Sequence, residues 1–231
     1  MSTPQAPKSV HELAEDRARA RADRDFARAD ELREQILDEG WEVVDRADGF
    51  DLAPKPPFEA FARLDDLRLQ ISAPLVLVVL VDGWPHDVEL CISGLATHAP
   101  DKSKILAVDC GNVDDAGLVL EELRTECAEM LEVVHLSGTL DQYGWGSLVE
   151  TALAVVDSPV VGLLDVSTVV TGPALEPLLE ALQDPSVVAT GWKGVNVDDS
   201  WLTWSDAGPG DVDAVFGYLM LVDGQIGRAH V

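Results

Sequence analysis

Two apolar runs in this chain end on a carboxylate: Lys104-Ile-Leu-Ala-Val-Asp109 and Val160-Val-Gly-Leu-Leu-Asp165. Runs of this length and composition read as buried strands, and in open α/β sheets ligands bind outside the carboxyl ends of the strands. An aspartate placed there can accept hydrogen bonds from a ligand, although a single one serves more often as a helix cap or turn residue. Other chemistry is thinly represented. No two of the five histidines have metal-ligand spacing, and Cys91, Cys110 and Cys127 are too scattered for a zinc site or a disulfide framework, so they read as buried thiols. The six tryptophans, among them Trp192, Trp201 and Trp204, could stack on a sugar ring, but core or interface packing is the expectation for most of them.

The strands that carry these aspartates belong to a regular alternation. Strands are expected at 75–81, 104–109, 131–136 and 160–165, with helices at 88–97, 118–128, 146–156 and 173–182, the last with Pro173 in its first turn. Residues 187–191 and 212–222 read as later strands. Such alternation predicts an α/β class with a mostly parallel sheet flanked by helices.

Ahead of it, residues 11–39 have helical spacing, with Asp25 a candidate N-cap between two helices and Gly40 a helix stop. Trp41 to Asp45 alternates like a short strand, and Ala47-Asp-Gly49 reads as a turn into a second one. A small helical hairpin with a β-hairpin appended follows. Ala53-Pro-Lys-Pro-Pro57 is a stiff boundary, and Phe58, Phe61, Leu64, Leu67 and Ile71 are spaced like one face of a helix. The expected organisation is a disordered start at 1–10, the hairpin at 11–52, a linker and helix at 53–74, and the α/β domain at 75–224.

With 16 Lys and Arg against 42 Asp and Glu the net charge is −26, which repels nucleic-acid backbones and anionic membranes over most of the surface. The start of the chain has no basic segment leading into an apolar core, and the longest apolar run, 75–81, is far too short to span a bilayer. A cytoplasmic protein is expected, without a transmembrane segment and with no more than peripheral membrane contact.

The order of elements resembles the family-2 glycosyltransferases: a strand, a helix containing CISGL, a strand running into AVDCGNVDDAG, a helix opening YGWGSLVETAL, then VVGLLDVST. The resemblance covers most of residues 75–222 and implies the nucleotide-diphospho-sugar transferase fold. It implies that Asp109, Asn112 and Asp115 hold the nucleotide base and ribose, with Asp82 and Gly83 lining the same pocket. Gly144 and Gly146 then precede the helix that faces the donor, and Glu150 stands in that helix where many relatives carry Asn.

Asp165 takes the first position of the family's metal-binding D-x-D motif, in which Mg²⁺ or Mn²⁺ bridges the diphosphate and neutralises the leaving group. Ser167 takes the second, a hydroxyl in place of a carboxylate. The implied activity is transfer of a sugar from a nucleotide-diphosphate donor to an unidentified acceptor, by in-line displacement with inversion. The family's base carboxylate lies in a later region, so no catalytic base is named. A non-catalytic scaffold of the same fold is an alternative.

The hairpin at 11–52 resembles, over about 40 residues, the C-terminal helical element of cysteinyl-tRNA synthetases, on Asp25-Phe-Ala-Arg-Ala-Asp30-Glu-Leu-Arg33, Gly40-Trp-Glu-Val-Val-Asp45 and Gly49. A tRNA-binding module is the reading this suggests, but residues 11–40 hold six Arg against ten Asp or Glu, so nucleic acid is not the expected partner. Finally, Gln225-Ile-Gly-Arg-Ala-His-Val231 reads as a translated sequencing-library adapter. The expectation that follows is a gene cut off shortly after Val222, and a chain without transferase activity of its own.

Overall fold

The structure, a computed structural model, describes residues 5–46, 49–64, 67–200 and 202–224. The adapter-like residues 225–231, Trp201, and Ala47 and Asp48 of the expected turn lie outside them. The chain divides into two compact units, 1–57 and 58–231.

The N-terminal unit comprises helices α1 (Lys8–Ala22) and α2 (Phe26–Asp38) and the antiparallel strands β1 (Trp41–Arg46) and β2 (Gly49–Pro54). Asp25 caps α2 by accepting the Arg28 N–H at 3.1 Å, and the chain leaves the helix at Gly40, both as the sequence indicates. Helix α1 starts three residues before the expected 11 because Val10 is needed in the core, where it packs with Ala14, Ile36 and Trp41. Arg17 is 6% exposed and grips Asp45 with two hydrogen bonds of 2.8 and 3.1 Å, while Arg21 adds a third of 2.7 Å.

The second unit runs β3 (Ala60–Phe61), β4 (Ile71–Ser72), β5 (Leu75–Val81), α3 (Pro85–His98), β6 (Lys104–Cys110), α4 (Ala116–Glu126), β7 (Leu131–Leu136), α5 (Leu140–Tyr143) and α6 (Trp145–Ala154). It continues through β8 (Val156–Asp157), β9 (Val160–Leu164), α7 (Glu176–Ala181), β10 (Ala189–Gly191), β11 (Gly194–Val197), β12 (Trp204–Asp206), β13 (Ala214–Val215) and β14 (Leu219–Asp223). Seven strands form the main sheet in the order β10-β14-β9-β5-β6-β7-β3, with every neighbouring pair from β9 to β3 parallel and β14 antiparallel to both its neighbours. Strand β5 is buried along its whole length, so its seven apolar residues supply both faces. Leu77, Val79 and Val81 pack with Ile92 and Leu95 of α3 and Leu120 of α4, whereas Val76, Val78 and Leu80 pack with Leu148, Val149 and Ala152 of α6.

Three expectations need correction. The described residues of 58–71 contain no α-helix: Phe61 joins the sheet beside β7, and Ile71 pairs with β8 in a small separate sheet. Their apolar side chains share a helical spacing but serve different contacts. The 173–182 helix is shortened to α7, whose first turn contains Pro177 rather than Pro173, after an irregular stretch pinned by fully buried Leu175. The 212–222 strand is split, because β13 pairs with β11 while β14 pairs with β9 and β10. No helix among the described residues is long and apolar enough to cross a membrane.

The Arg17 hydrogen bonds, with the charges of Arg17, Arg21 and Arg33, outweigh the upward push of burial and hold the Asp45 carboxyl below its ordinary value. Asp45→Asn should destabilise the N-terminal unit by roughly 1–2 kcal/mol, since it leaves a buried guanidinium with weaker acceptors. A depressed carboxylate stabilises above its unfolded pKa, so the contribution is complete above about pH 4 and disappears as pH falls through the folded value. Amide exchange within α1 and α2, measured against pH for both proteins, checks the size and the sign.

Candidate functional site

The sheet brings three carboxylates to one edge. Val81 pairs with Asp109 across β5 and β6, and Val79 pairs with Leu164 across β5 and β9, so Asp82, Asp109 and Asp165 stand at the carboxyl ends of three adjacent parallel strands. From β5 the chain moves outward through β6 to β7 and then returns to the other side of β5 as β9. The crevice between β5 and β9 is therefore a topological switch point, with Asp82 and Asp165 on its two sides.

Two loops meet above β5 and β6, and both are left-handed. Gly83 and Trp84 have φ of +112° and +57°, while Gly111, Asn112, Asp114 and Asp115 have φ between +48° and +85°. Gly83 is required: its φ is one that side chains rarely adopt, and an added Cβ would lie 3.1 Å from Val113 Cγ1 and 3.5 Å from Asp114 Oδ2. Left-handed non-glycine residues carry strain, and such strain concentrates at ligand sites. The structure thus brings Asp82 and Gly83 beside the loop that carries Asn112 and Asp115.

Asp109 is 0% exposed. Its Oδ1 accepts the Asn112 N–H at 3.1 Å, and Asn112 Oδ1 in turn accepts the Gly117 N–H at 3.0 Å. Oδ2 lies 2.8 Å from His135 Nδ1, and His135 Nε2 lies 3.0 Å from Glu121 Oε1. Phe58 stacks on the imidazole, with ring centroids 3.5 Å apart and planes 9° from parallel. Sequence reading misses Glu121, His135 and Phe58. The available signal was parity: Asp109 follows Ile105 and Ala107, and His135 follows Leu131 and Val133, on the inward face of adjacent strands. Next to Asp109, burial together with the charges of Asp109 and Asp82 pushes the Cys110 thiol up to about 12, which makes it a packing residue.

The remaining expected residues are exposed. Asp115 opens α4, and its N–H donates to the Asn112 carbonyl at 3.3 Å. Gly144, Gly146 and Glu150 lie on the outer side of the start of α6, with open space where a Cβ on either glycine would stand. No hydrogen bond among the described residues joins these three to the two loops. Asp165 Oδ1 accepts the Ser167 N–H at 2.9 Å and the Ser167 hydroxyl at 2.5 Å, which closes a tight turn anchored to Tyr218 through the Asp165 N–H.

No cluster of three or more metal-ligating side chains occurs among the described residues. One carboxylate and one hydroxyl fit a hard cation that takes most of its oxygens from a phosphate and water, a usual arrangement for Mg²⁺. Beside this turn opens a cleft of about 610 Å³, floored by residues 167–174 and walled by Trp192, Tyr218 and Leu219. Trp192 is 62% exposed, and Trp84, Trp145 and Trp204 are exposed too; of the five described tryptophans only Trp41 is buried, so of the expected core or interface packing the core part holds for Trp41 alone.

No family model matches the chain. Its fold resembles that of the mannosyltransferase PcManGT from Pyrobaculum calidifontis, solved in complex with GDP-Man and Mn²⁺, at a TM-score of 0.51 and 14% identity over 73% of this chain and 48% of that one. Residues 1–349 of TarS from S. aureus give a TM-score of 0.48 at 14% identity, over 67% of this chain and 48% of that one. In sequence, the chain is 44% identical over 59 residues to a cysteine–tRNA ligase of Opitutus terrae, a match covering 23% of this chain and 13% of the ligase. The chain thus spans about half the length of these two solved structures and a small part of the ligase. The mainly parallel sheet with flanking helices is an A-type glycosyltransferase-like fold.

Gly117 sits where the pocket loop, Asp109 and Phe58 converge, and an added Cβ would come within 2.8 Å of both Asn112 Oδ1 and Phe58 Cζ. Gly117→Ala should therefore destabilise the second unit by roughly 2–3 kcal/mol, whereas Gly146→Ala, on an open helix face, should leave it as stable or slightly more so. Denaturant unfolding of the two variants beside the parent checks the contrast.

Proposed function

We propose that the second unit is the donor-binding part of a glycosyltransferase that takes its sugar from a nucleotide diphosphate. The observation that carries this reading is the placing of Asp82, Asp109 and Asp165 at the ends of three adjacent strands around a switch point, beneath two left-handed loops. The nucleoside would lie against the loops 82–84 and 111–115. The diphosphate would cross the crevice toward Asp165, and the sugar or its acceptor would enter the cleft beside Trp192 and Tyr218. Gly144 and Gly146 leave backbone room at the start of α6, and Glu150 borders the same exposed face.

Charge decides what else the site needs. Residues 58–224 contain six Lys or Arg against 28 Asp or Glu, so a diphosphate enters a strongly negative field. Asp165 and Ser167 would hold the Mg²⁺ or Mn²⁺ that offsets it, and the ion supplies charge neutralisation on the departing diphosphate. With a single carboxylate, cation and nucleotide should each bind weakly alone and strengthen one another.

Calorimetric titration of the chain with UDP and with GDP tests this. Binding should require Mn²⁺, vanish in Asp165→Ala, and strengthen several-fold in Ser167→Asp, which restores a second carboxylate. Nucleotide binding that ignores Mn²⁺ or survives Asp165→Ala would refute the reading. The 44% match to a cysteine–tRNA ligase supports a second, separate role for a shared module in docking. A gel shift with tRNA at low salt checks that role, and an unshifted tRNA restricts it to protein partners.

A further inference from the structure

We propose that His135 is the positioning residue of the nucleoside loop, acting through Asp109 and held from behind by Glu121 and Phe58. This rests on the donor-site reading above and goes beyond it, because it moves the direct contacts away from Asp109. Both oxygens of that carboxylate are engaged within the chain and none of its surface is exposed, so it presents no open oxygen to a ligand. What Asp109 does instead is hold the Asn112 N–H, which fixes a left-handed residue whose own side chain holds the Gly117 N–H at the start of α4. The two hydrogen bonds span the loop 111–115 from both ends. Half-exposed Asp82 and exposed Asp114, with the loop backbone between them, are left to face the nucleoside.

His135 is suited to this task by its two nitrogens. Nδ1 lies 2.8 Å from Asp109 and Nε2 lies 3.0 Å from Glu121, so one ring bridges the two carboxyl groups and is fixed from both ends. Glu121 is itself paired with Arg124, so a continuous series of polar contacts runs from the surface of α4 to the buried end of β6. Phe58 covers the open face of the ring, and β3, whose Ala60 pairs with His135, holds Phe58 in place. The segment that reads as a helix in sequence is therefore the clamp on this residue.

Two substitutions separate positioning from bulk stability. In His135→Asn the side-chain amide ends where Nδ1 stands and can still donate to Asp109, whereas in His135→Gln it reaches toward Glu121 and leaves Asp109 unanswered. Amide exchange at Asn112 and Gly117 in the full chain should speed up roughly tenfold or more in the Gln variant and stay within about threefold of the parent in the Asn variant. Affinity for UDP or GDP with Mn²⁺ should follow the same split, with a loss of roughly tenfold in the Gln variant alone. Thermal melts run in parallel should not account for the difference.

Phe58→Ala strips the stacked ring without touching the polar chain and should loosen the same two amides by a smaller factor, which covers a Gln variant that fails to fold. Equal exchange in all these proteins, or equal losses in the Asn and Gln variants, would overturn the proposal. A parent chain that binds neither nucleotide would overturn the donor-site reading instead, with the exchange result still deciding the role of His135.

Discussion

A carboxylate with no exposed surface cannot turn to water, so every oxygen it carries needs a donor from the chain itself. Asp109 meets that requirement with the Asn112 N–H on one oxygen and His135 on the other. Much of the second unit follows from this. Strands β6 and β7 must hold the register that puts residues 109 and 135 side by side, and α4 must start close enough for its Gly117 N–H to reach Asn112. The absence of a side chain at 117 is what permits that approach.

The same constraint links fold to function. A loop with four positive-φ residues among five costs conformational energy, and it persists because its ends are tied to a buried anchor. The anchor lies next to the switch-point crevice, where a parallel sheet leaves its ligand site. On the other side of the crevice the Asp165 turn rests on the backbone of Tyr218, so the one antiparallel strand of the sheet's core positions the candidate cation ligands. On the proposed reading, so acidic a chain would make a cation part of the donor's binding site and not an accessory to it.

The elements legible in the sequence were those whose signal is local. Strand 131–136 has the expected bounds, and β5 was plain because seven consecutive apolar residues fit a strand covered on both faces of a parallel sheet. Asp25 and Gly40 likewise announced a cap and a stop. Where a segment's conformation is set by distant partners, local reading failed. Phe58, Phe61, Leu64 and Ile71 keep a helical spacing, yet Phe58 is held by a histidine 77 residues on and Phe61 by strand β7. The site divides in the same way. Its strand-end aspartates were legible, whereas Glu121 and His135 were not, since what defines them is a contact between a helix and a strand.

Chemical-shift mapping tests the central claim most directly: that the ends of β5, β6 and β9 form one nucleotide-diphosphate site assembled around Asp109. Amides of the full chain would be followed during titration with UDP or GDP, first with Mg²⁺ and then with a trace of paramagnetic Mn²⁺. The account predicts shifts confined to residues 82–84 and 111–115 and to the turn 165–168, with Mn²⁺ broadening centred on Asp165 only when nucleotide is present. Shifts that leave those segments untouched, or broadening that centres elsewhere, would contradict it.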